Sequence, residues 1–171
     1  MTNSITSLFF ALFVMIFNNF FSQEFPKDWI GNYKGVMEVI NPKGSQKVTV
    51  KLQILTIKEN EAWTYKMTYL PENQEKSVKD YVIRKTENGY VMDEKDGILI
   101  QMAWLGNGFY DYFELDNMFF TSRLTKEKKG LTFELYGGSR TENVSRNEEL
   151  DITVTSFVPQ FVQRVQLKKL K

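Results

Sequence analysis

This sequence predicts an all-β fold, an antiparallel up-and-down β-barrel of about 8–10 strands. Three observations point there. Run after run alternates apolar and polar residues at period two, the mark of a sheet with one wet face. Turn residues separate these runs at short intervals. Aromatic residues make up 15% of the 171-residue chain, and rings suit pleated, half-buried surfaces. No amphipathic helical window competes.

The chain opens differently. "MTNSITS" is polar, "LFFALFVMIF" is an unbroken apolar run of ten, and "NNFFSQ" follows. Ten residues rise only about 15 Å as a helix, against a hydrocarbon core of about 30 Å. Residues 1–23 therefore read as a signal peptide rather than a membrane span, with cleavage expected near Ser22 or Gln23. No Lys or Arg precedes the apolar run, and no small-x-small pair marks the cut. The other reading is a buried first strand or helix. The mature chain, 24–171, is expected to form a single barrel domain without a membrane span, exported to a periplasmic or secreted location.

The strands follow one another. "KVTVKLQILTI" (47–57) sets Val48, Val50, Leu52 and Ile54 opposite Lys47, Thr49, Lys51 and Gln53. "AWTYKMTYL" (62–70) groups Trp63, Tyr65, Met67 and Tyr69. "ILIQMAW" (98–104) groups Ile98, Ile100, Met102 and Trp104. "LTFELY" (131–136) groups Leu131, Phe133 and Leu135, and "LDITVTSFV" (150–158) groups Leu150, Ile152, Val154 and Ser156. Turn chemistry falls between them at 41–45, 59–61, 71–77, 87–89, 94–97, 106–108, 116–117 and 127–130. Asn-Gly and Asp-Gly favour hairpins because both central positions accept positive φ. The longest polar gap, "GGSRTENVSRNEE" (137–149), reads as a loose hairpin, and its "NVS" has meaning only in a eukaryotic secretory pathway. Many strands in one small domain favour closure, which removes exposed edges.

Composition excludes several functions. Lys plus Arg is 22 and Asp plus Glu 21, a net charge of +1, so nothing electrostatic favours a nucleic-acid partner. There is no cysteine, hence no disulfide, no thiolate metal site and no lipid-modified cysteine anchor. There is no histidine either. That removes the commonest general base and transition-metal ligand, and with them a Ser-His-Asp triad.

"DWIGNYKG" (28–35) interleaves Trp29 and Tyr33 with Gly31 and Gly35. Trp29, Gly31, Tyr33 and Gly35 share one parity, so that face of the strand alternates ring and nothing. Glycine there lets a first strand kink and another backbone approach closely. This stretch resembles the opening of the calycin superfamily, which comprises lipocalins, fatty-acid-binding proteins and their bacterial relatives. The resemblance implies a Gly-x-Trp element that plugs one barrel end, here Gly31-x-Tyr33 with tyrosine in place of tryptophan. It also implies a basic residue on the last strand stacking on that aromatic, for which "VQRVQLKK" (162–169) offers Arg164. It covers the first and last strands by motif and the rest by strand count. Haem-binding barrels of the nitrobindin type open similarly, but their histidine ligand is absent here.

An inward face holding Trp63, Met102, Phe133 and Ile152 would share its interior with polar Asp111, Ser122, Ser156 and Arg164. A buried Asp–Arg pair is costly unless fully hydrogen-bonded, so it would point to a ligand headgroup; the alternative places these residues at wet barrel ends. The acids of "DEKDG" (93–97) lack calcium-loop spacing and read as a solvated turn. No metal, cofactor or catalytic residue is expected. The leading function is a non-enzymatic barrel, expected as a monomer, holding a small apolar or amphipathic ligand. Trp63, Tyr65, Met67, Met102, Trp104 and Phe113 would line it. The alternative is a filled barrel whose outer Tyr110, Tyr112 and Tyr136 meet a protein or glycan partner. A ligand-sized void, or its absence, separates the two.

Overall fold

The computed structural model describes Phe25, residues 27–72 and residues 74–171. The expected leader and its cleavage point lie outside the described residues. Among those described, no helix is long and apolar enough to cross a membrane. A three-residue 3-10 turn, Lys27–Trp29, leads into β1 (Gly31–Asn41). The remaining strands are β2 (Gly44–Ile54), β3 (Thr56–Lys58), β4 (Ala62–Leu70), β5 (Ser77–Thr86), β6 (Gly89–Asp93) and β7 (Leu99–Leu105). Then follow β8 (Gly108–Leu115), β9 (Met118–Glu127), β10 (Gly130–Ser139), β11 (Asn143–Asn147), β12 (Ile152–Ser156) and β13 (Phe161–Lys169).

Neighbours in sequence pair antiparallel from β4 to β10, as hairpins require. Closure comes from four further pairings: β10 with β13, β13 with β1, β1 with β2, and β2 with β4. The short β3 is an offshoot on β4, so the wall is a closed up-and-down barrel of ten strands. The turn residues lie where the sequence puts them, with Asn60, Lys95 and Asp116 at φ of 58°, 68° and 52°. Short polar side chains such as Asn60 and Asp116 tolerate that region best, whereas Lys95 occupies it without that advantage.

Two runs behave differently from their alternation. Residues 47–57 are not one strand: the ladder breaks at Leu55, whose N–H donates to Thr64 Oγ1 at 2.8 Å. Residues 150–158 are not a barrel strand at all. β12 pairs only with β11, in a ribbon that leaves the barrel between β10 and β13. Ile152 and Ser156 are therefore exposed on that ribbon and do not join the inward face. Every residue of β11 and β12 is exposed. Replacing residues 142–156 by a short turn should cost about 1 kcal/mol or less, read as a melting temperature within a few degrees of the parent. A collapse of the cooperative transition would contradict this.

Inward and outward faces separate by chemistry. Outward positions carry Lys34, Lys51, Lys66, Arg84, Glu114 and Arg123, none of them buried, the reverse of a lipid-facing strand. Inward positions are mostly apolar, with Asp111, Ser122, Lys126 and Lys169 as polar exceptions, and burial falls from one end of the barrel to the other. The end carrying the turns at 59–61, 87–88 and 106–107 is filled. There Trp29, Tyr33, Ile54, Trp63, Tyr90 and Phe109 are each 4% exposed or less. Phe25 stacks on Trp63 with ring centroids 4.2 Å apart, and Trp29 meets Trp104 at 5.2 Å and Phe109 at 5.7 Å. Toward the other end, carrying the turns at 42–43, 94–98 and 116–117 and the link from β4 to β5, the inward residues become half-buried. Val39, Tyr69, Met92, Phe113, Phe120 and Leu135 form this mouth.

The two glycines of the opening stretch have separate tasks. Gly31 sits at φ 148°, and a Cβ there would lie 2.6 Å from Lys169 Cε. At Gly35 a Cβ would strike the Gln166 carbonyl oxygen and lie 2.6 Å from Val165 Cγ2. One glycine makes room for a lysine stem, and the other lets the last strand close on the first.

Candidate functional site

The floor of the barrel is built around Tyr33. Its hydroxyl donates to the Trp29 carbonyl at 2.7 Å, tying the 3-10 turn to β1. Lys169 Nζ donates to the Asp28 carbonyl at 2.9 Å and sits 5.9 Å from the Tyr33 ring centroid. Lys126 Nζ reaches Asp28 Oδ2 at 2.6 Å. The cation at this aromatic is therefore Lys169, and the assignment of Arg164 to that place is corrected. Arg164 faces outward on β13, where its guanidinium is 3.7 Å from Glu38 Oε2. It takes no part in the interior. The reason is parity: Val165 and Leu167 are buried inward, so 164 must point out and 169 in.

Above this floor lies a small pocket of about 20 Å³, lined by Tyr65, Met102, Phe109, Asp111, Ser122 and Phe133 together with Ile83, Met92 and Leu124. That is room for about one water-sized group. Free space around it, the opening to solvent included, comes to about 260 Å³.

Asp111 and Ser122 are directly opposed on β8 and β9. Ser122 N–H donates to Asp111 Oδ1 at 3.1 Å, and Ser122 Oγ–H to Oδ2 at 2.7 Å. Burial pushes the Asp111 carboxyl above the usual carboxylate range, with the two Ser122 bonds opposing the shift. Tyr65 is 6% exposed, and among the described residues its hydroxyl makes no hydrogen bond. Burial first, then the charges and dipoles of Tyr69, Asp111 and Tyr81, hold that phenol well above its ordinary value. Tyr69 is pushed up to about 12 by burial. Tyr81, at the mouth, is raised by burial and then by the nearby Glu94 charge.

The sequence-derived ligand residues divide among four places. Tyr65, Met102, Asp111 and Phe133 come together at the pocket. Phe113 stands in the mouth wall, stacked on Phe120 at 5.1 Å. Trp63, Met67 and Trp104 belong to the packed floor and core, and Arg164 is outside. Ile83, Met92, Phe109 and Leu124 were not singled out; the pocket needs register across β5, β6, β8 and β9 to assemble them. Among the described residues, no group of three or more carboxylates is gathered as a metal site.

The raised Asp111 pKa has a consequence for stability. Between its unfolded and folded values the native protein holds the extra proton, so stability falls as pH rises through that window and stays lower above it. Asp111→Asn keeps an acceptor for Ser122 N–H and removes the charge. The variant is expected to unfold at a higher urea midpoint than the parent at pH 7. The gap should close below the ordinary carboxylate range. An equal loss of stability at both pH values would contradict the assignment.

Fold and site together define a class: a closed ten-stranded antiparallel barrel, consistent with a calycin-like fold in general, with a packed floor and a largely apolar pocket, carrying Asp111 and Ser122, beneath an open mouth. No protein-family model matches the chain, and no curated protein matches it in sequence.

Proposed function

We propose that this chain is an exported, monomeric, non-enzymatic lipocalin-like barrel that holds a small amphipathic molecule in its mouth. The graded burial of the inward face carries this reading. Apolar side chains such as Met92, Phe113, Phe120 and Leu135 remain half-buried inside a barrel whose other end is filled. Packing alone would favour closing both ends over them. A carboxyl at the base of that space, raised by burial and without a cation, costs stability. Groups kept at such a cost cluster at functional sites. The apolar run near the chain start supports export.

Incubation with an envelope lipid extract followed by native mass spectrometry tests it. The expected result is a discrete one-to-one adduct; a bare mass throughout would overturn the reading.

One observation favours the filled-barrel alternative: the enclosed pocket is only about 20 Å³, far below the roughly 300 Å³ at which ligand cavities begin. In that case the outer wall is the working surface. Tyr112 is 82% exposed there, with Tyr110 two residues away on the same strand and Tyr136 two strands over on β10.

A further inference from the structure

The size, the charge and the hydrogen-bonding inventory of the pocket narrow the chemistry of its occupant. We propose that the pocket takes the ammonium group of a primary alkylamine, with the hydrocarbon chain running up through the mouth. This rests on the ligand-binding reading above and names the ligand class for the same site.

Three acceptors converge there. Asp111 uses one lone pair on each oxygen for Ser122, leaving the others open. Ser122 Oγ donates its only proton to Asp111 Oδ2, so its remaining capacity is as an acceptor. Tyr65 lines the same pocket, and among the described residues its hydroxyl makes no hydrogen bond and is not sealed away, so it is reached from the pocket's open space. A primary ammonium carries three N–H donors. Donors and acceptors match.

Charge selects the same group. Among the described residues no Lys or Arg pairs with Asp111. The inward-facing Lys126 and Lys169 are committed to Asp28 at the floor. Lys79 lies out near the rim, 6.0 Å from the Tyr81 ring centroid. An anionic headgroup would meet only Asp111 at this depth and be repelled. A cation would supply the partner that a buried carboxylate lacks.

Size then separates one cation from another. A space of about 20 Å³ admits a group the size of a water molecule. An ammonium fits, whereas a trimethylammonium does not. The tail has an apolar path along Met92, Phe113, Phe120 and Leu135, all half-buried and facing the mouth.

Isothermal titration calorimetry at pH 7 with decylamine, decanol, decanoate and decyltrimethylammonium, each below its micelle concentration, tests the proposal. Decylamine should bind one-to-one and at least about tenfold more tightly than decanol, as a charge-assisted bond over a neutral one implies. Decanoate and decyltrimethylammonium should be weaker than decylamine. Asp111→Asn should erase the preference for amine over alcohol and leave decanol within about twofold. Tyr65→Phe, which keeps the ring and its packing, should reduce the same preference. Equal binding of amine and alcohol, or tighter decanoate, would overturn the amine assignment while leaving a ligand-binding barrel. Binding by none of the four would overturn both.

Discussion

Trp29→Ala should lower folding stability by about 3–5 kcal/mol, read as a reduced urea midpoint with an unchanged slope. Trp29 is 1% exposed and stands at the filled end, edge-on to Phe109 at 5.7 Å and against Trp104 at 5.2 Å. Its carbonyl takes the Tyr33 hydroxyl at 2.7 Å. Removing the indole leaves a void that the rigid strand ends on either side cannot collapse to fill. Water would then reach Phe25 and Trp63, whose stacked rings complete the floor. A loss under about 1 kcal/mol would mean that the 3-10 turn lies loosely on the barrel rather than sealing it.

Gly35→Val should cost about 3 kcal/mol by a different route. Here nothing is removed. The added side chain would collide with Val165 Cγ2, 2.6 Å from its Cβ, and with the Gln166 carbonyl oxygen on β13. β1 and β13 form the seam that joins the chain's beginning to its end. Because the Gln166 part of the clash is with backbone, the seam must shift even if the Val165 side chain rotates away. Amide hydrogen exchange should therefore accelerate first in β13 and the facing part of β1. Uniform acceleration over all strands would argue against a local seam, and unchanged exchange against the close approach itself.

These two residues also show what sequence reading reaches and where it stops. The turns were legible because each depends on residues adjacent in the chain: Asp116 and Asn117 fix the β8–β9 hairpin, and the hairpin then fixes Asp111 opposite Ser122. The last strand held its own correction. Val165 and Leu167 share a parity, which places Lys169 inward and Arg164 outward without any coordinates. The resemblance to calycins drew attention to the guanidinium instead.

Other features depended on contacts that alternation does not encode. "LDITVTSFV" has the period of a core strand and yet forms an exposed ribbon, since period two reports a pleat and not which sheet it joins. The break at Leu55 needs Thr64 from the neighbouring strand to satisfy its N–H. Tyr65 meets Asp111 only because β4 and β8, which do not pair, face one another across a closed barrel. Non-local juxtaposition of that kind is what a single sequence conceals.

The proposed function has its working surface inside the mouth and not on the outer wall. Fluorescence of N-phenyl-1-naphthylamine, an apolar probe dark in water, separates the two directly when titrated against the parent protein, Met92→Arg and Tyr112→Arg. Met92 lines the pocket, and Tyr112 points out from β8 at 82% exposure. Saturable one-to-one enhancement in the parent and in Tyr112→Arg, abolished in Met92→Arg, is the predicted result. Absence of saturable enhancement in the parent, or its loss in Tyr112→Arg alone, would contradict it.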